Sequence, residues 1–276
     1  MKKLNKLILC IIAICLIIFL KDVYQARQYK KEQSQTHIYK KHKENKQTSK
    51  INFSEERKID KYLKSKSFNG NITIYKHNQP VMSKAYGFRD IENNINNDRK
   101  SMYLLESANK FITGLMLHRS GLAKAKFPTS AMGLNGAIES NKLNGVVPQN
   151  YHNYFYNDAN YITIAKVIEN ATKKSYAQNL NELIINKAHL KYTARYDAIT
   201  QQEFMVKGYK FKNNQSIYFY PSTLDKYDGA GNIYISTDDM AKLVSQFKSN
   251  KLLSKSSTDN LLSKASTNLY PSPYRY

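Results

Sequence analysis

The sequence predicts a mixed α/β fold in which an antiparallel hairpin is followed by a helix carrying Ser107 and Lys110. Three observations lead there. Glu55 to Lys64 has amphipathic helical spacing, with Ile59, Tyr62 and Leu63 on one face. Asn71 to Tyr75 and Val81 to Tyr86 read as strands joined by His77-Asn78-Gln79-Pro80. Helical patterns then recur behind Asp158 and behind Ser236. Residues 55–276 are enough for one domain with a substantial core.

Ahead of that domain, the chain has a different character. Lys2, Lys3 and Lys6 precede a wholly apolar run from Leu7 to Leu20, closed by Lys21. The charge order fits a signal peptide or a signal anchor with its N-terminus inside. No small-residue cleavage site follows, so residues 1–21 are expected to be an uncleaved membrane anchor. Residues 22–54, rich in Lys, Gln and Tyr, read as a basic stalk. Both cysteines, Cys10 and Cys15, fall inside the apolar run, which excludes a disulfide scaffold or thiolate metal site in the domain. Ile14 stands before Cys15 where a lipidation signal would need a small residue. The six histidines show no ligand-type spacing, so no metal is expected.

The net charge of +22 is spread over the chain, with 12 basic and 3 acidic residues in positions 1–50. For a domain outside a membrane, the fitting polyanions are phosphate-rich wall polymers and anionic head groups rather than nucleic acid. An AT-rich genome would also enrich lysine, without any partner.

Within the domain, Phe68-Asn69-Gly70 ends the first helix and Gly87 ends the second strand. A polar loop then leads to Met102–Leu105 and to the helix opening at Ser107, with Phe111, Ile112, Leu115, Met116 and Leu117 behind it. Gly121 is expected to stop that helix. Asp158 suits the N-cap of the next helix, which shows Tyr161, Ile164, Ala165 and Ile168. Gly229-Ala230-Gly231-Asn232 reads as a turn before the strand Ile233-Tyr234-Ile235. Ser236 or Thr237 caps a helix through Leu243, with Asp238 and Asp239 in its first turn. Tyr218, Tyr220 and Tyr227 are expected to be core or rim aromatics.

The chemistry rests on Ser107-Ala108-Asn109-Lys110. A serine at a helix start sits where free N–H groups favour developing negative charge. A lysine three residues on shares its helix face. If the turn is buried, that lysine can lose its proton and serve as base for the hydroxyl. The spacing alone is weak, because Ser245-Gln246-Phe247-Lys248 repeats it on an expected solvated helix face.

The flanking order adds what the spacing lacks. Lys58-Ile59-Asp60-Lys61-Tyr62-Leu63, Phe68-Asn69-Gly70, Ser107-Ala108-Asn109-Lys110-Phe111 and His118-Arg119-Ser120-Gly121-Leu122 occur in sequence. Tyr156-Asn157-Asp158-Ala159-Asn160-Tyr161, Gly229-Ala230-Gly231-Asn232 and Tyr270-Pro271 with Tyr274-Arg275-Tyr276 follow. The ordered set resembles the serine β-lactamase and penicillin-binding-protein superfamily, and within it the branch that removes D-alanyl esters from teichoic acids. The resemblance implies a transpeptidase-like fold, an antiparallel sheet flanked by helices plus a helical region. It implies Ser107 as nucleophile, Lys110 as base, Tyr156 as proton relay to the leaving alcohol and Asp158 in an orienting or charge-balancing role. It implies no cofactor, teichoic acid as substrate and β-lactams as acylating ligands, with the domain facing the cell wall.

Three departures accompany it. Glu106 stands where the family has glycine. His118 follows Leu117 directly, where the family has a longer helix and loop. The family's third motif and closing strands are expected beyond Tyr276. A D-alanyl-D-alanine peptidase acting on peptidoglycan and a non-catalytic wall-binding remnant are the alternative readings.

Overall fold

The computed structural model describes residues 53–77, 79–110, 118–212, 215–219 and 223–262, all within one compact unit, 48–276. The expected anchor, most of the stalk, the apolar run from Phe111 to Leu117, Tyr220 and the Tyr270–Tyr276 segment lie outside the described residues.

Helix α1 (Phe53–Ser65) leads into strands β1 (Gly70–Lys76) and β2 (Gln79–Tyr86), paired antiparallel. The hairpin is tighter than the sequence suggests: its strands run to Lys76 and Gln79, and a register shift at Ile74/Tyr75 absorbs the mismatch. Asp60 of α1 accepts hydrogen bonds from Tyr86 at 3.0 Å and Lys84 at 3.4 Å, which ties the helix to β2. Gly87 follows at φ 65°; a Cβ there would come within 2.3 Å of Asn69 Oδ1, so the turn admits glycine alone without rearrangement.

The loop after Gly87 contains two short strands, β3 (Phe88–Asp90) and β4 (Ile95–Asn96), before β5 (Tyr103–Leu104). Strand β6 (Ser120–Leu122) pairs with β7 (Val146–Tyr151), with helix α2 (Gly133–Asn144) between them. Gly121 is therefore no helix stop. It sits inside β6 at φ 75°, with Tyr151 so near that a Cβ would approach its backbone to 3.3 Å.

Helix α3 (Asp158–Thr172) is capped by Asn157, whose side chain accepts from the Ala159 N–H. The cap expected at Asp158 thus lies one residue earlier, and the Asp158 carboxylate is left for another partner. A short helix α4 (Tyr176–Leu180) follows, opened by a capping box between Ser175 and Gln178. Then come β8 (Thr193–Arg195), the hairpin β9 (Gly208–Lys212) and β10 (Gln215–Phe219), and β11 (Ile233–Ile235). Ser236 caps α5 (Thr237–Lys248), accepting from Asp239 N at 3.2 Å, and α6 (Lys255–Leu262) ends the described chain.

Strand β11 is the centre of a three-stranded antiparallel sheet in the order β5-β11-β8. Two apolar clusters flank it. Leu134, Ala137, Tyr161, Ile162, Ala165 and Tyr176 form one with Ala230. Ile235, Leu243, Phe247, Leu252, Ala188 and Leu190 form the other, with Leu105 against it. Each fully buried leucine, isoleucine or phenylalanine among them contributes about 1.5–3 kcal/mol. Ala230, just ahead of β11, thus belongs to one cluster, and Ile235 and Leu105, at the ends of β11 and β5, to the other; the residues at those ends are the ones of interest.

Candidate active site

The register of β5 against β11 brings two distant segments together. Tyr234 pairs with Leu104, and Leu105 N donates to Ile233 O at 2.8 Å. Antiparallel pairing then sets the chain leaving β5 beside the chain entering β11. Glu106 meets Gly231, where a Cβ would touch the Glu106 backbone at 3.4 Å. Ser107 lies one residue further on, in a 3₁₀ turn spanning Glu106–Asn109. The α-helical opening expected at Ser107 is thus a 3₁₀ turn, with Lys110 helical behind it.

Glu106 takes φ 44° to enter that turn. This is the left-handed region, which costs a side-chain-bearing residue about 1–2 kcal/mol. A glycine in this position would adopt it freely.

Ser107 is exposed while Lys110, three residues on, is 6% exposed. Lys110 Nζ reaches Ser107 Oγ at 3.3 Å, Tyr156 Oη at 2.8 Å, the Ala230 carbonyl at 3.3 Å and Asp158 Oδ1 at 2.6 Å. It also lies 4.9 Å from the Tyr156 ring centroid and 5.5 Å from that of Tyr161. A buried ammonium needs such partners, since an unpaired charge there would cost several kcal/mol. Tyr156 Oη closes the triangle, donating to Ser107 Oγ at 2.6 Å. All four residues singled out in the sequence, Ser107, Lys110, Tyr156 and Asp158, meet around one ammonium group.

Tyr156 is held in place by its neighbours. Asn157, 2% exposed, donates through Nδ2 to the carbonyls of Leu122 and Ala123 at 2.9 Å each. Its Oδ1 accepts from Ala125 N at 3.1 Å and Ala159 N at 3.0 Å. One amide therefore ties β6, the segment after it and the start of α3 together.

His118 is a site residue that the sequence reading did not single out. It is 3% exposed, and its ring packs 4.6 Å from Tyr156 and 5.0 Å from Tyr161. Nδ1 lies 3.1 Å from the Asn157 N–H, and Phe155 N donates to the His118 carbonyl at 2.9 Å. Burial, with the Lys110 charge nearby, pushes its pKa below the ordinary 6.5. Its position next to the recognisable Arg119-Ser120-Gly121 run was the available signal, but nothing in the spacing showed its ring reaching Tyr156.

Ala230 owes its orientation to a turn braced from below. Ala230 N and Gly231 N both donate to Tyr227 O at 2.9 Å. Asn232, fully buried, donates to Asp228 Oδ1 at 2.6 Å, and Arg195 of β8 donates to the same carboxylate at 2.8 Å. Burial raises the Asp228 pKa, and the Arg195 charge opposes that rise.

Ser245, the second serine with a lysine three residues on, sits half-buried on α5, with Lys248 exposed at its end. Among the described residues, no cluster of His, Cys, Asp and Glu has the arrangement of a metal site.

A family model described as Beta-lactamase matches residues 115–275. The Teichoic acid D-alanine hydrolase of Staphylococcus aureus is 34% identical over 255 residues, covering 80% of this chain and 64% of that protein. The chain thus spans less than two thirds of the length of the curated relatives it matches. The crystal structure of FmtA from Staphylococcus aureus superposes with a TM-score of 0.75 at 36% identity, covering 83% of this chain and 75% of that one. A penicillin binding protein from Bacillus halodurans gives a TM-score of 0.65 at 14% identity over 74% of this chain and 78% of its own, a likeness of fold.

Proposed function

This chain belongs to the β-lactamase family, and from that premise we propose that it is a serine hydrolase that removes D-alanyl esters from teichoic acid at the outer face of the cell membrane. The observation that carries the reading is the contact of Ser107 Oγ with Tyr156 Oη at 2.6 Å, backed by Lys110 Nζ at 2.8 Å from that same phenol.

The geometry supports a proton path. In the resting site the Lys110 ammonium donates to Tyr156, which donates to Ser107. The reactive form is reached when Lys110 gives its proton to solvent and the Tyr156 hydroxyl turns toward Nζ; Ser107 then passes its proton to the Tyr156 oxygen as Oγ attacks the ester carbonyl. Tyr156 passes its own proton to Lys110 Nζ. The new ammonium then faces the Asp158 carboxylate at 2.6 Å, which balances the charge. The Ser107 N–H, in the first turn of the 3₁₀ segment, is a donor for the developing oxyanion. Reversal of the path protonates the departing polyol oxygen and leaves a D-alanyl ester on Ser107. Water, activated along the same path, attacks that ester, releases D-alanine and restores the serine. A β-lactam would acylate the same oxygen through its strained amide.

The substrate rests on the 34% identity to a protein named Teichoic acid D-alanine hydrolase. The location rests on Lys2, Lys3 and Lys6 before the apolar run Leu7 to Leu20, which orient an anchor with the domain outside. Both are tested together with the full chain in its native membrane. D-alanine release from D-alanylated teichoic acid should be detected and should vanish in Ser107→Ala. Protease added to intact cells should digest the domain. Full protection, or release equal in the variant, would overturn the reading.

A further inference from the structure

The segment after β6 is fastened to both loops that carry the site. Ala125 N donates to Asn157 Oδ1, between Tyr156 and Asp158. Phe127 packs edge-on against Tyr227 at 5.5 Å, just ahead of the turn that delivers Ala230 to Lys110. From outside, Asn144 Nδ2 donates to Lys126 O at 3.0 Å and Ala123 N to Gly145 O at 2.9 Å.

Along this segment exposure alternates. Ala125 and Phe127 are partly covered, while Lys124 and Lys126 are exposed. The alternation puts both lysines on the solvent side of a segment whose intervening residues, Ala125 and Phe127, are fastened to the loops that carry the site. Neither has a side-chain hydrogen bond or ion pair among the described residues, whereas Lys142 on the neighbouring helix is taken by Glu139 at 2.7 Å. At the nucleophile itself the Lys110 charge is matched by Asp158 at 2.6 Å, and Glu106 is exposed next to Ser107, so the described residues leave no unmatched cation there for an anion. A polyanionic substrate must therefore find its cations on the rim.

We infer that Lys124 and Lys126 form a subsite for the phosphodiester backbone of the polymer whose ester enters at Ser107. This rests on the proposed teichoic-acid reading. The backbone fastening tethers the two lysines close to the loop of Tyr156, from which they act on where the polymer lies and leave the bond-breaking step alone.

The test compares wild type, a Lys124→Gln/Lys126→Gln double variant and a Lys58→Gln/Lys61→Gln control of equal charge change on α1. Three readouts are used: turnover of D-alanylated teichoic acid, acylation by a small uncharged activated ester, and binding of teichoic acid stripped of D-alanine. The double variant should raise KM for the polymer and weaken polymer binding by about five- to tenfold, with a shallower salt dependence. Its kcat and its acylation by the neutral ester should stay unchanged, and the control should stay within about twofold of wild type. Unchanged polymer affinity in the double variant, or an equal loss in the control, would overturn the subsite. Wild type that binds polymer but releases no D-alanine would instead overturn the substrate reading, while the binding arm still decides the subsite.

Discussion

Tyr156 Oη stands 2.6 Å from Ser107 Oγ, whereas Lys110 Nζ stands 3.3 Å from it. The tyrosine is the group in shortest contact with the serine, and the lysine meets that tyrosine at 2.8 Å. The phenol therefore links the serine to the charged group behind it.

Removing that oxygen should break the path while leaving the ring in place against His118. Tyr156→Phe is expected to acylate about 10²–10⁴-fold more slowly with an activated ester. Its thermal midpoint should stay close to wild type, because Tyr156 as a residue is 37% exposed and Lys110 keeps Asp158 and the Ala230 carbonyl as partners. A variant that acylates at the wild-type rate would remove Tyr156 from the mechanism.

Glu106 occupies a left-handed backbone position at φ 44°. Glu106→Gly should relieve that cost, offset in part by the greater freedom glycine gives the unfolded chain. The expected net gain is about 0.5–1 kcal/mol, or about 1–3 °C in thermal midpoint. Glu106→Ala should give no such gain. Equal midpoints for both variants would show that the turn stores no strain.

How much of this was readable beforehand differs from residue to residue. Ser107 and Lys110 were legible because a three-residue spacing fixes a shared face even in the tighter 3₁₀ turn. Tyr156 and Asp158 were legible through family order, since 46 or more residues separate them from Lys110 and only folding joins them. The Ala230 carbonyl and the His118 ring were hidden for the same reason: one depends on β5–β11 register, the other on the hairpin of β6 with β7. Strands β3 to β6, two or three residues each, are too short to show alternation. Helix α2 escaped because small and polar residues, Ala137, Ser140 and Asn141, form much of its buried face. Hairpin β9–β10 went unread as well, although Tyr209-Lys210-Phe211-Lys212 alternates before Asn213-Asn214.

His118 predicts a pH dependence of stability. Its pKa is lowered in the folded chain, so the unfolded chain takes up a proton near 6.5 that the folded chain still refuses. Stability should be full above that value and fall as pH drops below it, at up to about 1.4 kcal/mol per pH unit. Asp228 and Asp239, whose pKa values are raised by burial, act with the opposite sign at lower pH. Subtracting the profile of His118→Asn isolates the histidine contribution. Parallel profiles for the two proteins between pH 5 and 7 would contradict it.

The central claim is that Ser107 is the acylated residue, and mapping the adduct tests it most directly. The full chain is treated with a fluorescent penicillin or an activated ester, digested, and sequenced by mass spectrometry. The account predicts a single adduct on the peptide containing Ser107, lost in Ser107→Ala and retained in Ser245→Ala. An adduct on Ser245 or Ser120, or labelling that persists in Ser107→Ala, would contradict it.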